Sequence, residues 1–141
     1  MGADIYMFIE HKNPVTNKWN LVKNSKWSHN MVPINRNSGL FHILCGYNKN
    51  DFNEISVICE CKGLPLDIDK EIAFWLEDLA FTSYLSLEEI QNFDWDKEVY
   101  YFEEDCKHSE IACDFYTEII PYMRSVDTNC QNVRIVFGLS L

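Results

Sequence analysis

The chain has 141 residues, of which 47% are hydrophobic and 14% aromatic, and a formal net charge of −10. That length and apolar content suit one domain spanning residues 1–141, which buries about 68% of the surface its unfolded chain exposes and needs neither disulfide nor metal to fold. The longest apolar stretches, Ile5 to Ile9 and Ile135 to Leu139, fall far short of the about 20 residues of a membrane-spanning helix. Excess negative charge also disfavours direct binding to phosphate backbones.

At the N-terminus, Met1-Gly2-Ala3-Asp4-Ile5 has no basic n-region and carries an acid where a secretory signal has none, which predicts an intracellular protein. Tyr6 stands where a myristoylation motif takes Ser or Thr. From Ala3 to Glu10, Ile5, Met7 and Ile9 alternate with Asp4, Tyr6 and Phe8, the period of a strand covered on both faces and central in its sheet. Asn13 to Asn17 supply turn chemistry, and Lys18 to Val22 read as a strand returning beside the first. Residues 24–37, rich in Asn, Ser and Lys, predict a long surface loop.

Leu40, Phe41, Ile43, Leu44 and Tyr47 have the spacing of a short helix ending near Gly46, with His42 toward its polar side. Glu54 to Cys61 reads as a strand or an extended connection. Asp67 or Asp69 caps a helix whose Ile68, Ile72, Trp75, Leu76 and Leu79 form an apolar stripe. Ser86-Leu87-Glu88-Glu89 is a capping box that predicts a helix from Leu87 to about Phe93. Ile111, Phe115, Ile119 and Tyr122 predict another helix, opening near Ser109 and bent or ended by Pro121. Val133, Ile135, Phe137 and Leu139 alternate as a C-terminal strand beside the first. Strands at both termini with helices between them give an α+β fold. Its one antiparallel or mixed sheet holds both terminal strands, and the helices pack mainly on one face.

Six cysteines in an intracellular protein read as buried thiols, since cytosolic glutathione keeps them reduced. Cys59 and Cys61 form the closest pair, and a second pair exists only if Cys106 and His108 approach them, so no metal or other cofactor is predicted. The histidines at 11, 29, 42 and 108 stand at no ligand spacing. No phosphate-binding glycine loop, nucleophile elbow or metalloprotease motif occurs, so no catalytic residue is assigned and the balance leans away from an enzyme.

Charge is uneven along the chain. Residues 1–50 hold six basic side chains against two acidic ones, whereas residues 51–141 hold six against twenty. The densest run, Asp94 to Asp105, sets Asp94, Asp96, Glu98, Glu103, Glu104 and Asp105 against Lys97 alone, interleaved with Trp95, Tyr100, Tyr101 and Phe102. Acidic charge with aromatic anchors suits docking on a basic protein surface. In this reading Trp95, Tyr100, Tyr101, Phe102, Glu103, Glu104 and Asp105 are the partner-binding residues, against the simpler reading of a solvated face.

Gly2-Ala3-Asp4-Ile5, Arg36-Asn37 before Leu40-Phe41, Gly63-Leu64-Pro65, Leu85-Ser86-Leu87-Glu88-Glu89, Asp94-Trp95 and Val133-Arg134-Ile135-Val136-Phe137 occur in that order. The series resembles a family of small uncharacterised viral proteins, from bacteriophages and large DNA viruses, that typically start Met-Gly-x-Asp-Ile-His. The resemblance spans nearly the whole chain. It implies a viral accessory protein, placed in host cytoplasm during infection or associated with the virion, and implies no reaction. Tyr6 replaces the family's histidine, and Asp78-Leu79-Ala80-Phe81-Thr82 replaces a histidine-containing stretch. If those histidines bind metal in relatives, this chain keeps only Asp4 and Asp78 as oxygen ligands, a poor set for zinc.

Three functions are therefore expected in order of preference. The first is a non-enzymatic acidic module that engages a basic surface of a host or viral protein. The second is a small-ligand binder or enzyme with a pocket around Asp4, Tyr6, Arg36, Asn37 and Asp78, in which Arg36 clamps a phosphate or carboxylate; its simpler counterpart is an Arg36 ion pair that pins the loop. The third is a structural or virion-associated protein, for which a self-associating surface and a homo-oligomer suffice.

Overall fold

The computed structural model describes residues 2–141. In chain order its elements are β1 (Asp4–Lys12), β2 (Trp19–Leu21), α1 (Ser38–Cys45), α2 (Lys70–Leu76), β3 (Ala80–Ser86) and α3 (Leu87–Gln91). There follow β4 (Glu98–Tyr101), β5 (Glu104–Lys107), α4 (His108–Ala112), α5 (Ile120–Val126) and β6 (Val133–Ser140). The fold is α+β, with an antiparallel four-stranded sheet in the order β2-β1-β6-β3 and a separate β4-β5 hairpin. Both terminal strands are interior. They pair from Asp4 opposite Ser140 to His11 opposite Val133.

Alternation of side chains divides the sheet into two faces. Ile5, Met7, Ile9, Val133, Ile135, Phe137 and Leu139 point into the larger core, where they meet apolar residues of α1, α3, α4 and α5. Phe8 and Val136 point the other way, onto Ile72 and Leu76 of α2, with Tyr6, Trp75 and Tyr84 at the margin. Beyond that apolar patch the same face carries Glu10 and Arg134, both buried. Arg134 Nε donates to Glu10 at 2.6 Å and its Nη2 to Asp67 at 3.0 Å. The second Glu10 oxygen accepts the Asp69 amide at 2.7 Å, and the Trp19 ring lies 4.0 Å from the guanidinium carbon. Asp69 in turn caps α2 by accepting from Glu71 N, and accepts from Leu21 N of β2. Burial pushes the Glu10 carboxyl above its ordinary range, while the Asp69 amide and Arg134 pull it back.

Local signals explain the helix ends. Asn37 caps α1 by accepting from Leu40 N, and Gly46, at φ 80°, closes it in the left-handed conformation that glycine adopts without strain. The Ser86 box forms with both reciprocal bonds at 3.0 Å.

Three expectations change. His42 is buried rather than on a polar side, because the segment after α1 folds back over it and both ring nitrogens meet carbonyls. Residues 54–61, read as a strand or an extended connection, form no strand. The helix predicted from Ser109 through Tyr122 is broken at Cys113, whose φ of 51° and ψ of −126° end α4. Helical φ/ψ then continue from Asp114 through a π-helical turn at Phe115–Ile119 into α5, so Pro121, expected to bend or end the helix, stands just past the change from π to α winding and does not end it. Finally, β3 is an edge strand that the sequence pattern does not announce. Its register shifts between Ala80 and Ser83, with Phe81 at φ 52°, so the period-two alternation is interrupted.

Replacing Ser86 with Ala removes one of the two bonds of the box. Equilibrium urea unfolding should show a loss of about 1 kcal/mol with no change in slope.

Candidate functional site

The acidic run of residues 94–105 folds into two different environments. Trp95 turns inward, 8% exposed, and its Nε1 donates to Ile90 O at 2.8 Å while the ring packs on Phe93 and Tyr116. The expected partner-binding role of Trp95 is thereby corrected: the indole is a core anchor, and its only polar atom is already engaged. The rest of the run forms the β4-β5 hairpin, with Tyr101 opposite Glu104 and a two-residue turn of Phe102 and Glu103.

Strand alternation sorts the hairpin's side chains. Val99 enters the core, Tyr101 is half-buried, and Tyr100 points to solvent at 57% exposure. Close approach to α1 fixes the inward side. A Cβ at Gly39 would lie 2.8 Å from the Tyr101 hydroxyl and 2.7 Å from Ile111, so glycine is required for this contact. Burial pushes the Tyr101 hydroxyl above its ordinary range.

At the tip, Phe102 and Glu103 have φ of 48° and 69°. Two successive left-handed residues are the geometry of a type I′ turn, which favours Asn-Gly. Phe and Glu hold it under strain, and Phe102 is left 73% exposed. The tip arches over residues 51–55. Phe52 lies 5.8 Å from the Tyr101 ring and 6.4 Å from Phe102, and Phe102 lies 4.5 Å from Tyr101. Between the two walls runs a groove of about 260 Å³, formed by residues 51–55 on one side and Tyr100, Tyr101 and Phe102 on the other. Asp51 and Glu54 line it, and Glu103, Glu104 and Asp105 follow in the turn and β5; all five are exposed, and none makes an ion pair among the described residues. The arrangement is an aromatic cleft within unneutralised negative charge.

The second predicted constellation does not assemble as a pocket. Arg36 reaches Asp4 with both prongs of its guanidinium, Nε at 2.7 Å and Nη2 at 3.2 Å. The pair is solvent-exposed; the guanidinium holds the Asp4 carboxyl below its ordinary range and is itself raised. Tyr6 points to the opposite side of the sheet from the larger core, 6.4 Å from Trp75. Asn37 spends its oxygen on the α1 cap and its amide on Ile111 O. Asp78 is exposed in the turn before β3, across β6 from Asp4. A small cleft of about 130 Å³ adjoins Arg36 and Asn37 but includes none of Asp4, Tyr6 and Asp78. Among the described residues no cluster of three His, Cys, Asp or Glu has metal-binding geometry, and no helix is long and apolar enough to cross a membrane.

Nothing local in the sequence predicts that residues 51–55 meet the hairpin, so the place of Phe52, Glu54 and Ile55 is visible only in the fold. One signal was available for the hairpin itself: Val99 and Tyr101 alternate with Tyr100, as a strand requires. No family model, curated protein or solved structure matches the chain.

Exchanging the turn for its preferred residues, Phe102→Asn with Glu103→Gly, should raise the unfolding free energy by about 1–2 kcal/mol and shift Tm upward in a thermal melt. A loss of stability would show that Phe102 contributes folding contacts that outweigh its strain.

Proposed function

We propose that the chain is a viral accessory protein that works as a non-enzymatic binding module, engaging a basic surface of a host or viral protein through the β4-β5 tip and residues 51–55. The observation that carries this reading is Phe102: a large apolar side chain, exposed, on a strained turn, beside carboxylates that have no cation of their own. Strain of this kind persists at working positions. An aromatic anchor ringed by charge has the composition of an interface centre, with Tyr100 and Phe102 as anchors and the acids as steering groups. The Asp4–Arg36 pair lends no comparable support to a ligand site, since the fork that would clamp an anion is filled by Asp4. The ordered resemblance from Gly2-Ala3-Asp4-Ile5 to Val133-Arg134-Ile135-Val136-Phe137 supports the viral setting.

Affinity purification from infected cells, with wild-type protein beside the Glu103→Lys, Glu104→Lys and Asp105→Lys triple variant, tests the reading. The wild type is expected to retain a basic partner that the triple variant loses, and with the purified partner the association rate should fall at least about tenfold between low and physiological salt. An unchanged set of captured proteins removes the proposal.

A further inference from the structure

Two buried histidines grip one peptide group. His42 in α1 and His108 at the start of α4 are 3% and 0% exposed. His42 Nε2 lies 2.9 Å from the carbonyl oxygen of Ile55, and its Nδ1 lies 2.8 Å from Tyr47 O. His108 Nε2 accepts the amide of Ser56 at 3.2 Å, while its Nδ1 faces Asp94 O at 2.8 Å. The Ile55 C=O and the Ser56 N–H belong to the same peptide plane, so one imidazole holds each end of it. This plane terminates the wall of the groove formed by residues 51–55.

Hydrogen-bond chemistry fixes the form of His108. A carbonyl on Nδ1 requires a proton there, and an amide donor on Nε2 requires a lone pair there; only the neutral Nδ1–H tautomer meets both. We propose that the Ile55–Ser56 peptide is a pH-sensitive latch, in which a proton on His108 Nε2 sets donor against donor, frees Ser56 and loosens the groove wall. This deepens the binding-module reading, on which its consequence rests: acidification weakens engagement of the basic partner. The step is a simple proton uptake from solvent. The Ile55 end of the same peptide lies against His42 Nε2, so the change at His108 acts on the Ser56 end alone.

The groups facing His108 come from three directions. From the segment preceding β4, the Asp94 carboxylate favours a second proton, the Lys97 ammonium opposes it, and the Phe93 ring covers one side at 4.7 Å. From α1, His42 opposes it; from the latch itself, Ser56 presents its amide, and Lys97 Nζ donates to its hydroxyl at 3.0 Å. Burial is the largest influence, and with it His108 lies below its ordinary value of 6.5. The folded state therefore takes up the proton later than the unfolded chain does. The stabilisation is complete above the unfolded value and is lost progressively as pH falls below it toward the folded one.

Nuclear magnetic resonance on the 15N-labelled full chain, from about pH 7.5 to about pH 5, reads the latch without any partner. The Ser56 amide shift and the His108 ring signal should titrate with one midpoint. The Ser56 protection factor, corrected for the intrinsic pH dependence of exchange, should fall about tenfold, as the loss of one hydrogen bond predicts. In His108→Gln, whose amide oxygen accepts the same N–H and takes no proton, both should stay flat. A Ser56 signal that ignores His108 titration, or a response that survives in His108→Gln, overturns the proposal. If that variant does not fold, the wild-type midpoints alone decide. Because no partner enters, failure of the latch is distinct from failure of the binding-module reading.

Discussion

Everything in the molecule is referred to the buried clasp between Glu10 and Arg134, directly opposite each other on the two interior strands. Apolar alternation decides which face of each strand is covered, but many registers would satisfy a row of Ile, Val and Phe. A single buried pair of opposite charges is less forgiving. A slip of one residue would carry Arg134 into the apolar face, and a slip of two would leave Glu10 without its cation. The clasp also extends sideways: Glu10 holds the Asp69 amide, Asp69 starts α2 and binds β2, and Arg134 holds Asp67. Register, hairpin and the helix on the second face are thus set by one polar network, with the guanidinium shielded beneath Trp19.

On this base the working surface is an outlying feature. The β4-β5 hairpin belongs to a separate two-stranded sheet and joins the core through Val99 and Tyr101, where Gly39 lets α1 come close. The turn geometry leaves Phe102 largely exposed even though its ring edges against Phe52 and Tyr101. Opposite it, residues 51–55 have little regular structure of their own. Ile55 is buried in the larger core with its carbonyl against His42 Nε2, Phe52 packs on Tyr101, and the next amide, that of Ser56, donates to His108.

Where the determinants are local, the sequence is readable. Period-two alternation marks β1 and β6, turn chemistry at Asn13 to Asn17 marks the β1-β2 hairpin, Gly46 ends α1, and the Ser86 box starts α3. Legibility stops where distant residues decide. Phe-Glu gives no hint of a turn that Asn-Gly would advertise. The bulge at Phe81 hides β3 by shifting its period midway. His42 falls on the polar side of a helical wheel, and only the return of residues 47–55 buries it. The acidic run was legible as a surface of charge and aromatics. That Trp95 leaves it for the core, and that Phe52 joins it, depends on tertiary packing that no local pattern encodes.

Equilibrium urea unfolding of Arg134→Met, beside the double variant Glu10→Met/Arg134→Met, measures the clasp most directly. The single replacement leaves a carboxylate buried without its cation and should lower the unfolding free energy by about 3–5 kcal/mol, with much of the loss recovered when both charges are removed. A single variant within about 0.5 kcal/mol of wild type would contradict the view that this pair holds the terminal strands in register.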